Sequence, residues 1–526
     1  MLVRSLVRRS PAGRCSPLRA AGPWLRTPLR PEKSTTMSDL GTAESTQYAQ
    51  QQNAVLHKTL GRFDIIFIVV SAVVGLEMLG SVSSQGPETF TWLVFLIIVF
   101  LIPYALIFAE TGSAFVGEGG VYLWVRTAFG RPAAAVASAF TWITQPVWVG
   151  GSMAFLNAEA AREHLVPFTE GSAADYAFKI LFIWLTVLAA VLSLRRAKWI
   201  PTMGALCKIV FLALFVVTAI AYAVQHGVQD LPIGSFTPTT AGFITLIPLL
   251  LFAFLGFESG SSASGEMNNA TKDVAFSVLR SSAMAGVLYL IPVFTILLVI
   301  PHSDIDGVSG LITAVATVFS VYGSAAPAML IAAVVLFLLA NIGQGAAWMI
   351  MSDRMQAIAA ADGSFFGGFF GKFHRTLGTP IRVNLLSGLI SSAFMIAAMQ
   401  LTGSSAALFD VVLSVAITTY LFSYLIVIPA AVRLRLRHPE VPRPFRVPGG
   451  NGVFVALGVV TTAFVALGSW VSIVPGTLES LLGLPYDFST AMGVPYAAFE
   501  ALTLGTLAFI IAIALIGYVA GRRLRV

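Results

Sequence analysis

VVGLEMLGSVSSQGP (Val73–Pro87) and FAFLGFESGSSASGEMNN (Phe252–Asn269) decide how this chain is read. Each sets Gly, an apolar residue and Glu in the middle of a long apolar run, then continues with Gly and Ser. Glycine adopts non-helical backbone without a Cβ penalty, and Ser hydroxyls are expected to satisfy some of the amides and carbonyls that a break frees. The remaining polar groups must face protein, ions, water or ligand, because lipid offers them nothing. Close helix packing through small residues accounts for Gly80, Gly86 and Gly260. It does not account for Glu77 and Glu258, since an ionisable group at mid-membrane depth costs about 3 kcal/mol by insertion scales. These two Glu residues fall in the first and sixth apolar spans. Paired interruptions of this kind point to a midplane binding site in a carrier built from inverted repeats of five helices.

Working outward, apolar runs recur along nearly the whole chain of 526 residues, which is 57% hydrophobic and 11% charged with a mean hydropathy of +0.84. Soluble domains carry about 25% charged residues, and runs of about 20 apolar residues cross the hydrocarbon core. The spacing predicts an all-α membrane protein of about twelve spans, near 62–84, 89–110, 132–160, 176–194, 200–225, 241–264, 276–300, 326–352, 380–401, 405–432, 452–474 and 497–520. The implied division is a disordered cytoplasmic tail (1–57), a first repeat of spans 1–5 (58–225), a second repeat of spans 6–10 (226–432), and spans 11 and 12 with the C-terminus (433–526). Nothing has the short alternating pattern of barrel strands.

Lys and Arg gather in alternate loops, among them Arg126, Arg131, Arg195, Arg196, Lys198, Lys372, Arg375, Arg443 and Arg446. The positive-inside rule then predicts that both termini are cytoplasmic, in a multi-pass plasma (cell inner) membrane protein. The net charge of +7 largely follows from that asymmetry and is no nucleic-acid signal. The Arg-rich first 36 residues lack the apolar core of a signal peptide and read as a tail, or as an extension upstream of Met37. Cys15 and Cys207 are too few and too distant for a disulfide framework.

Four ionisable residues lie within spans: Glu77, Glu258, Lys208 and, nearer an outer end, Asp410. Glu77 and Glu258 are read as substrate or ion contacts, with an N-cap on the second half of the broken helix as the plainer role. Asp410 is expected to be solvated. Lys208 either snorkels to the interface or points inward at carbonyls freed by the first break, where an ammonium stands in for a cation and can exchange a proton. Among nearby aromatics, Phe257 and Trp148 are candidates for contact with an ammonium group, whereas Trp142 is expected to pack in the core.

Three motifs resemble the amino acid–polyamine–organocation superfamily over roughly 58–520: ETGSAFVGEGGVYLWVRTAFG (Glu110–Gly130), Gly256-Phe257-Glu258 followed by Gly265-Glu266-Met267, and RPFRVPGG (Arg443–Gly450). The resemblance implies a LeuT-type fold of 5+5 inverted repeats with broken helices 1 and 6, and secondary active transport by alternating access. It also implies substrate held by Gly75, Leu76, Glu77, Gly256, Phe257, Glu258 and Trp148. Lys208 falls where sodium-independent members carry a Lys in place of sodium, which implies proton coupling or exchange.

One departure bears on substrate. Amino acid carriers of the superfamily have Gly-Ser-Gly or a close variant at the first break, where bare amides receive the α-carboxylate. Gly75-Leu76-Glu77 instead resembles the polyamine-transporting branch, so cationic amines or polyamines are the expected substrates. The alternatives are a neutral or acidic amino acid permease or antiporter, with Glu77 paired to Lys208, or a substrate-binding sensor on the same scaffold. An enzyme is not expected: the six His residues do not cluster, and Gly363–Thr376 lacks the first Gly and the Ser/Thr of a phosphate-binding loop. No cofactor or metal is expected. The partners are a small amine or amino acid, protons or a counter-substrate, and lipid; nucleic acid is not among them.

Overall fold

A computed structural model of the chain describes residues 46–54, 58–193, 199–301, 305, 310–400, 405–488 and 494–525. Among them there is helix and no strand; a single isolated bridge joins Leu60 to Met267. Ten helices are long and apolar enough to cross a membrane, and the bent pair Arg62–Val73 and Leu76–Ser83 makes an eleventh. The third span, Arg131–Trp148 continued by a π-helical turn (Val149–Met153) and Ala154–His164, falls short of that apolarity. Its Ser, Thr, Gln and Asn residues are tolerated because protein surrounds it. It packs against spans 8, 10 and 12 and the short helix Val121–Phe129, and nearly all its middle residues are buried.

The first span bends by 42° between its halves. Val74 (ψ 99°) and Gly75 (ψ 120°) are extended there, so the helical hydrogen bonding stops and restarts. The sixth span runs as Thr240–Ala253, breaks through Phe254, Leu255 and Gly256, and continues as a 3₁₀ helix over Phe257–Glu266. Gly256 carries φ 104°, a conformation costly to any residue with a Cβ. A Cβ there would also strike the Trp348 ring and lie 2.9 Å from the Tyr420 hydroxyl. Span 8 extends to Ala361, well beyond the boundary expected at 352, and brings Asp353 and Arg354 into the helix.

The three motifs on which the superfamily resemblance rests converge on the face where Thr46 and Arg525 pack against Asp362 and Gly363. Glu110 closes against Arg435, accepts from Arg443 Nε at 3.1 Å and from the Val447 amide at 2.7 Å, so the loop before span 11 is tied to the end of span 2. Eight residues further on, Glu118 faces Arg354 Nη1 at 3.5 Å, and Arg354 Nη2 donates to Glu266 Oε1 at 3.1 Å and to the Gly378 carbonyl at 2.8 Å. Arg354 is completely buried. The Gly119 amide reaches the Ser262 carbonyl at 3.2 Å, and the amides of Thr59 and Leu60 reach the Glu266 carbonyl, each at 2.9 Å. The end of the broken sixth span is thereby sealed against the start of the first.

The stretch expected as a disordered tail, 1–57, contains described structure at its end. Gln47–Asn53 is a helix capped by Thr46, whose amide donates to Asp362 Oδ1 at 2.9 Å. Arg126 (2.9 Å) and Arg131 (3.1 Å) meet the same carboxylate, so these two cations serve a packed junction as well as the charge bias. Burial without partners is costly for a carboxylate, which is why local charge-counting reads a tail where a docking contact exists. Residues 1–45 lie outside the described residues.

Candidate functional site

Both breaks have the same local plan. Gly75 and Gly256 precede a restarted helix, an apolar residue follows (Leu76, Phe257), and Glu occupies the second helical position. Each Glu folds back to accept its own backbone amide, and the partial positive charge of a helix N-terminus favours a carboxylate there. The capping role and a contact role are therefore compatible for one side chain, because a carboxylate has two oxygens.

Glu77 is 4% exposed. Its Oε1 accepts from Gln344 Nε2 at 2.5 Å, and the Trp148 side chain also hydrogen-bonds the carboxylate. Oε2 is buried and has no partner. Lys208, on span 5, points inward and is fully buried; it does not reach the interface. Its Nζ donates to the Ser71 carbonyl at 2.8 Å, to the Val74 carbonyl, and to Gln344 Oε1 at 2.7 Å. An ammonium has three N–H donors, and all three are committed. Gln344 therefore stands between Lys208 and Glu77, accepting from one and donating to the other.

The expectation that Ser hydroxyls satisfy the groups freed at the first break is corrected by Tyr289 of span 7. Its hydroxyl accepts from the Gly75 amide at 2.9 Å and donates to the Val73 carbonyl at 3.1 Å. Ser71 Oγ and Ser83 Oγ make no hydrogen bond. A phenol reaching from a facing helix bridges donor and acceptor, which a short Ser side chain on the broken helix itself does not span.

Glu258 is fully buried. Tyr104 of span 2 closes on its Oε2, and Tyr424 of span 10 donates to Oε1 at 2.5 Å. The Tyr104 hydroxyl also receives the Gly256 amide at 2.9 Å, and Tyr424 meets the Tyr420 hydroxyl at 3.2 Å. Among the described residues no ion pair within 4.0 Å includes Glu77 or Glu258. The phenol hydrogen bonds come from neutral donors.

Spans 1, 3, 5, 6, 7, 8 and 10 all reach this centre. A small cavity of about 20 Å³ lies between the breaks, lined by Met78, Trp148, Tyr289, Gln344, Trp348 and Tyr420 among others. That is room for about one water. Of the residues nominated from sequence, Trp148 lines it, whereas Glu77 sits one side chain behind the wall, at Gln344, and Glu258 two behind, through Tyr424 and Tyr420. Phe257 is buried against Tyr104, ring centroids 6.5 Å apart. Leu76 is wholly buried. Gly75 has no room for a side chain, since a Cβ would collide with Glu77 Oε1 and lie 3.0 Å from Met78 Cγ. Trp142 is elsewhere, donating to Asp353 Oδ1 and Ser387 Oγ, each at 3.0 Å. The side chain of Asp410 lies outside the described residues.

Sequence reasoning passed over Tyr104, Tyr289, Gln344, Asp353, Tyr420 and Tyr424. The signal available was Tyr420 and Tyr424 at i, i+4 on one helix face, and polar Gln344 inside an apolar run. Asp353 and Arg354 escaped because span 8, expected to end at 352, runs on to Ala361. No group of His, Cys, Asp and Glu among the described residues is arranged to hold a metal ion.

The fold is that of a polytopic transporter with discontinuous first and sixth helices, the LeuT-type arrangement. The chain belongs to the amino acid permease family, whose sequence model matches residues 60–485. It is 29% identical over 405 residues to a probable agmatine/putrescine antiporter of Lactococcus lactis subsp. lactis, covering 76% of this chain and 85% of the relative. An uncharacterised transporter of Legionella pneumophila is 28% identical over 403 residues, 75% of this chain and 85% of that one. A branched-chain amino acid permease of Bacillus subtilis is 25% identical over 458 residues, 82% and 93% of the two chains. The protein is thus a membrane-embedded permease and not an enzyme.

Proposed function

We propose that this permease carries small cationic amines, diamines or related guanidino-amines across the plasma membrane, by exchange or with protons, with Glu77 and Glu258 receiving the two cationic ends. The observation that carries this reading is the unpartnered, buried Oε2 of Glu77 beside the break. Leaving such an atom unpaired costs free energy, and an ammonium or guanidinium offers it a charge-assisted hydrogen bond. Glu258, held by the phenols of Tyr104 and Tyr424 with no cation beside it among the described residues, is the matching acceptor on the other break. The Gly75 amide, which an α-carboxylate would need, is committed to Tyr289, and this weighs against an ordinary amino acid. The relative described as a probable agmatine/putrescine antiporter is named for substrates of the class proposed. Reception at the Glu pair requires the cavity of about 20 Å³ to widen, which the two halves of each broken span allow by moving about their breaks.

Lys208 is the proposed coupling residue, its ammonium lying on carbonyls of the first break in the manner of a bound cation. The two five-span repeats, 58–225 and 226–432, and cytoplasmic termini complete the reading. The test is uptake into proteoliposomes of labelled putrescine, agmatine, arginine, glutamate and leucine, with and without a proton gradient. Saturable amine uptake is expected. Glu77→Gln should weaken diamine recognition by about 10- to 100-fold, the worth of a charge-assisted hydrogen bond, and affect neutral amino acids far less. Lys208→Ala should abolish the pH dependence. Uptake of amino acids alone, or equal losses for both classes in Glu77→Gln, would sink the amine reading.

A further inference from the structure

A second, larger cavity opens on the face opposite the Glu118–Arg354–Glu266 seal. It measures about 370 Å³ and lies between the second half of span 1 (Ser81, Ser84), span 10 (Ser414), span 11 (Ser472) and the loop that follows (Glu479, Tyr486). Pockets that hold small molecules start at about 300 Å³, so this one has room for a short amine where the central one has not. Ser81 and Ser84 stand four and seven residues past Glu77, about 6 and 10 Å along the helix axis. The floor of the cavity therefore leads towards the first break.

Among the described residues of its wall, one is a carboxylate. Glu479, on the short helix Thr477–Leu481, is 4% exposed, and its Oε2 is buried without a hydrogen-bond partner. Among the described residues no ion pair includes it. A buried carboxylate without a cation is a costly arrangement for a loop to keep. Beside it Tyr486 contributes an aromatic face, packed under Gly476, and aromatic faces attract ammonium groups. The Tyr486 phenol is pushed up to about 12, first by burial and then by the charge of Glu479, which places the two side chains within electrostatic reach.

We infer that this cavity is a second binding site for organic ammonium groups, with Glu479 as the charged receptor and Tyr486 and the Ser hydroxyls as its wall, from which an amine passes to the breaks when spans 1 and 6 part. The inference rests on the amine reading above for its ligand, and on the unpartnered Glu479 oxygen and the cavity for its place. An amine arriving from this face meets Glu479 before Glu77, so Glu479 sets capture while Glu77 and Glu258 serve the central step.

The test uses the full chain in lipid nanodiscs and labelled putrescine. In a Glu77→Gln/Glu258→Gln protein, saturable binding should remain, and adding Glu479→Gln should remove it. In the otherwise native chain, Glu479→Gln should raise KM for putrescine about tenfold with kcat within twofold of native, whereas Glu77→Gln should lower kcat. Ser84→Phe, which fills the cavity from its half-exposed end, should reproduce the KM effect if Glu479→Gln does not fold. Absence of residual binding in the doubly substituted protein, or residual binding indifferent to Glu479→Gln and Ser84→Phe, overturns the inference and leaves the central reading intact if native protein transports amines. Residual binding that needs Glu479 in a protein that transports no amine upholds the second site and sinks the amine-carrier reading.

Discussion

Replacing Tyr289 with Phe removes one oxygen atom and leaves shape and charge unchanged. That oxygen bridges the two sides of the first break, receiving the Gly75 amide (2.9 Å) and donating to the Val73 carbonyl (3.1 Å) in a fully buried setting. Its loss orphans one N–H and one C=O. Each orphaned buried group costs about 1–3 kcal/mol, hence about 2–6 kcal/mol together if nothing relaxes. With water entering to serve one of them, about 2 kcal/mol remains, roughly a 30-fold increase in the local opening equilibrium. The assay is hydrogen–deuterium exchange of the peptide spanning the break, read against a peptide in span 12 as a control. Tyr289→Phe should speed exchange around Gly75 by roughly 30-fold and leave span 12 unchanged. Exchange within about threefold of native at the break, with an unchanged thermal midpoint, would refute the claim that this phenol holds the break together.

Two more predictions concern the seal and the second break. Glu118, in the loop beside Arg354 and Glu266, is raised to about 7, first by burial, against the opposing pull of Arg354. A carboxyl group raised on folding adds stability that is complete below its unfolded value and is lost as pH rises through about 7. Thermal midpoints should therefore fall between about pH 4.5 and about pH 7 in the native chain, and Glu118→Gln should flatten that slope; a native midpoint independent of pH across the window would count against it. Gly256→Ala should cost well over 1–3 kcal/mol, the usual range for strained backbone, because the Cβ meets the Trp348 ring as well as an unfavourable φ of 104°. Properly folded protein in detergent at native yield would show that the second break is more pliable than its geometry implies.

The tight meeting of the three motifs gives their spacing a physical reason. Glu110, in the last turns of span 2, and Glu118, in the loop that follows, are eight residues apart, yet one is tied to arginines of the segment before span 11 and the other to Arg354 of span 8. A chain read locally presents these carboxylates as loop charges on a positive-inside face. Folded, they are buried counterions that close one face of the helix bundle, while the larger cavity opens on the opposite one.

Much of the architecture was legible in the chain itself. Apolar runs dictate membrane helices, because backbone groups in lipid must be satisfied within each segment. Gly next to Glu in mid-run dictates where two of those helices stop, because a carboxylate and a helix interruption are both expensive there unless they serve one another. What the sequence left open was who answers them. Tyr289 lies 214 residues from Gly75, and Tyr424 lies 166 residues from Glu258. Gln344 interposes itself between Lys208 and Glu77, so the direct pairing conceivable from sequence is replaced by a relay that leaves one oxygen of Glu77 unmatched. Periodicity carries a helix's own face and its breaks. Partners drawn from spans far apart in the chain depend on how the helices pack, and only the tertiary structure fixes that.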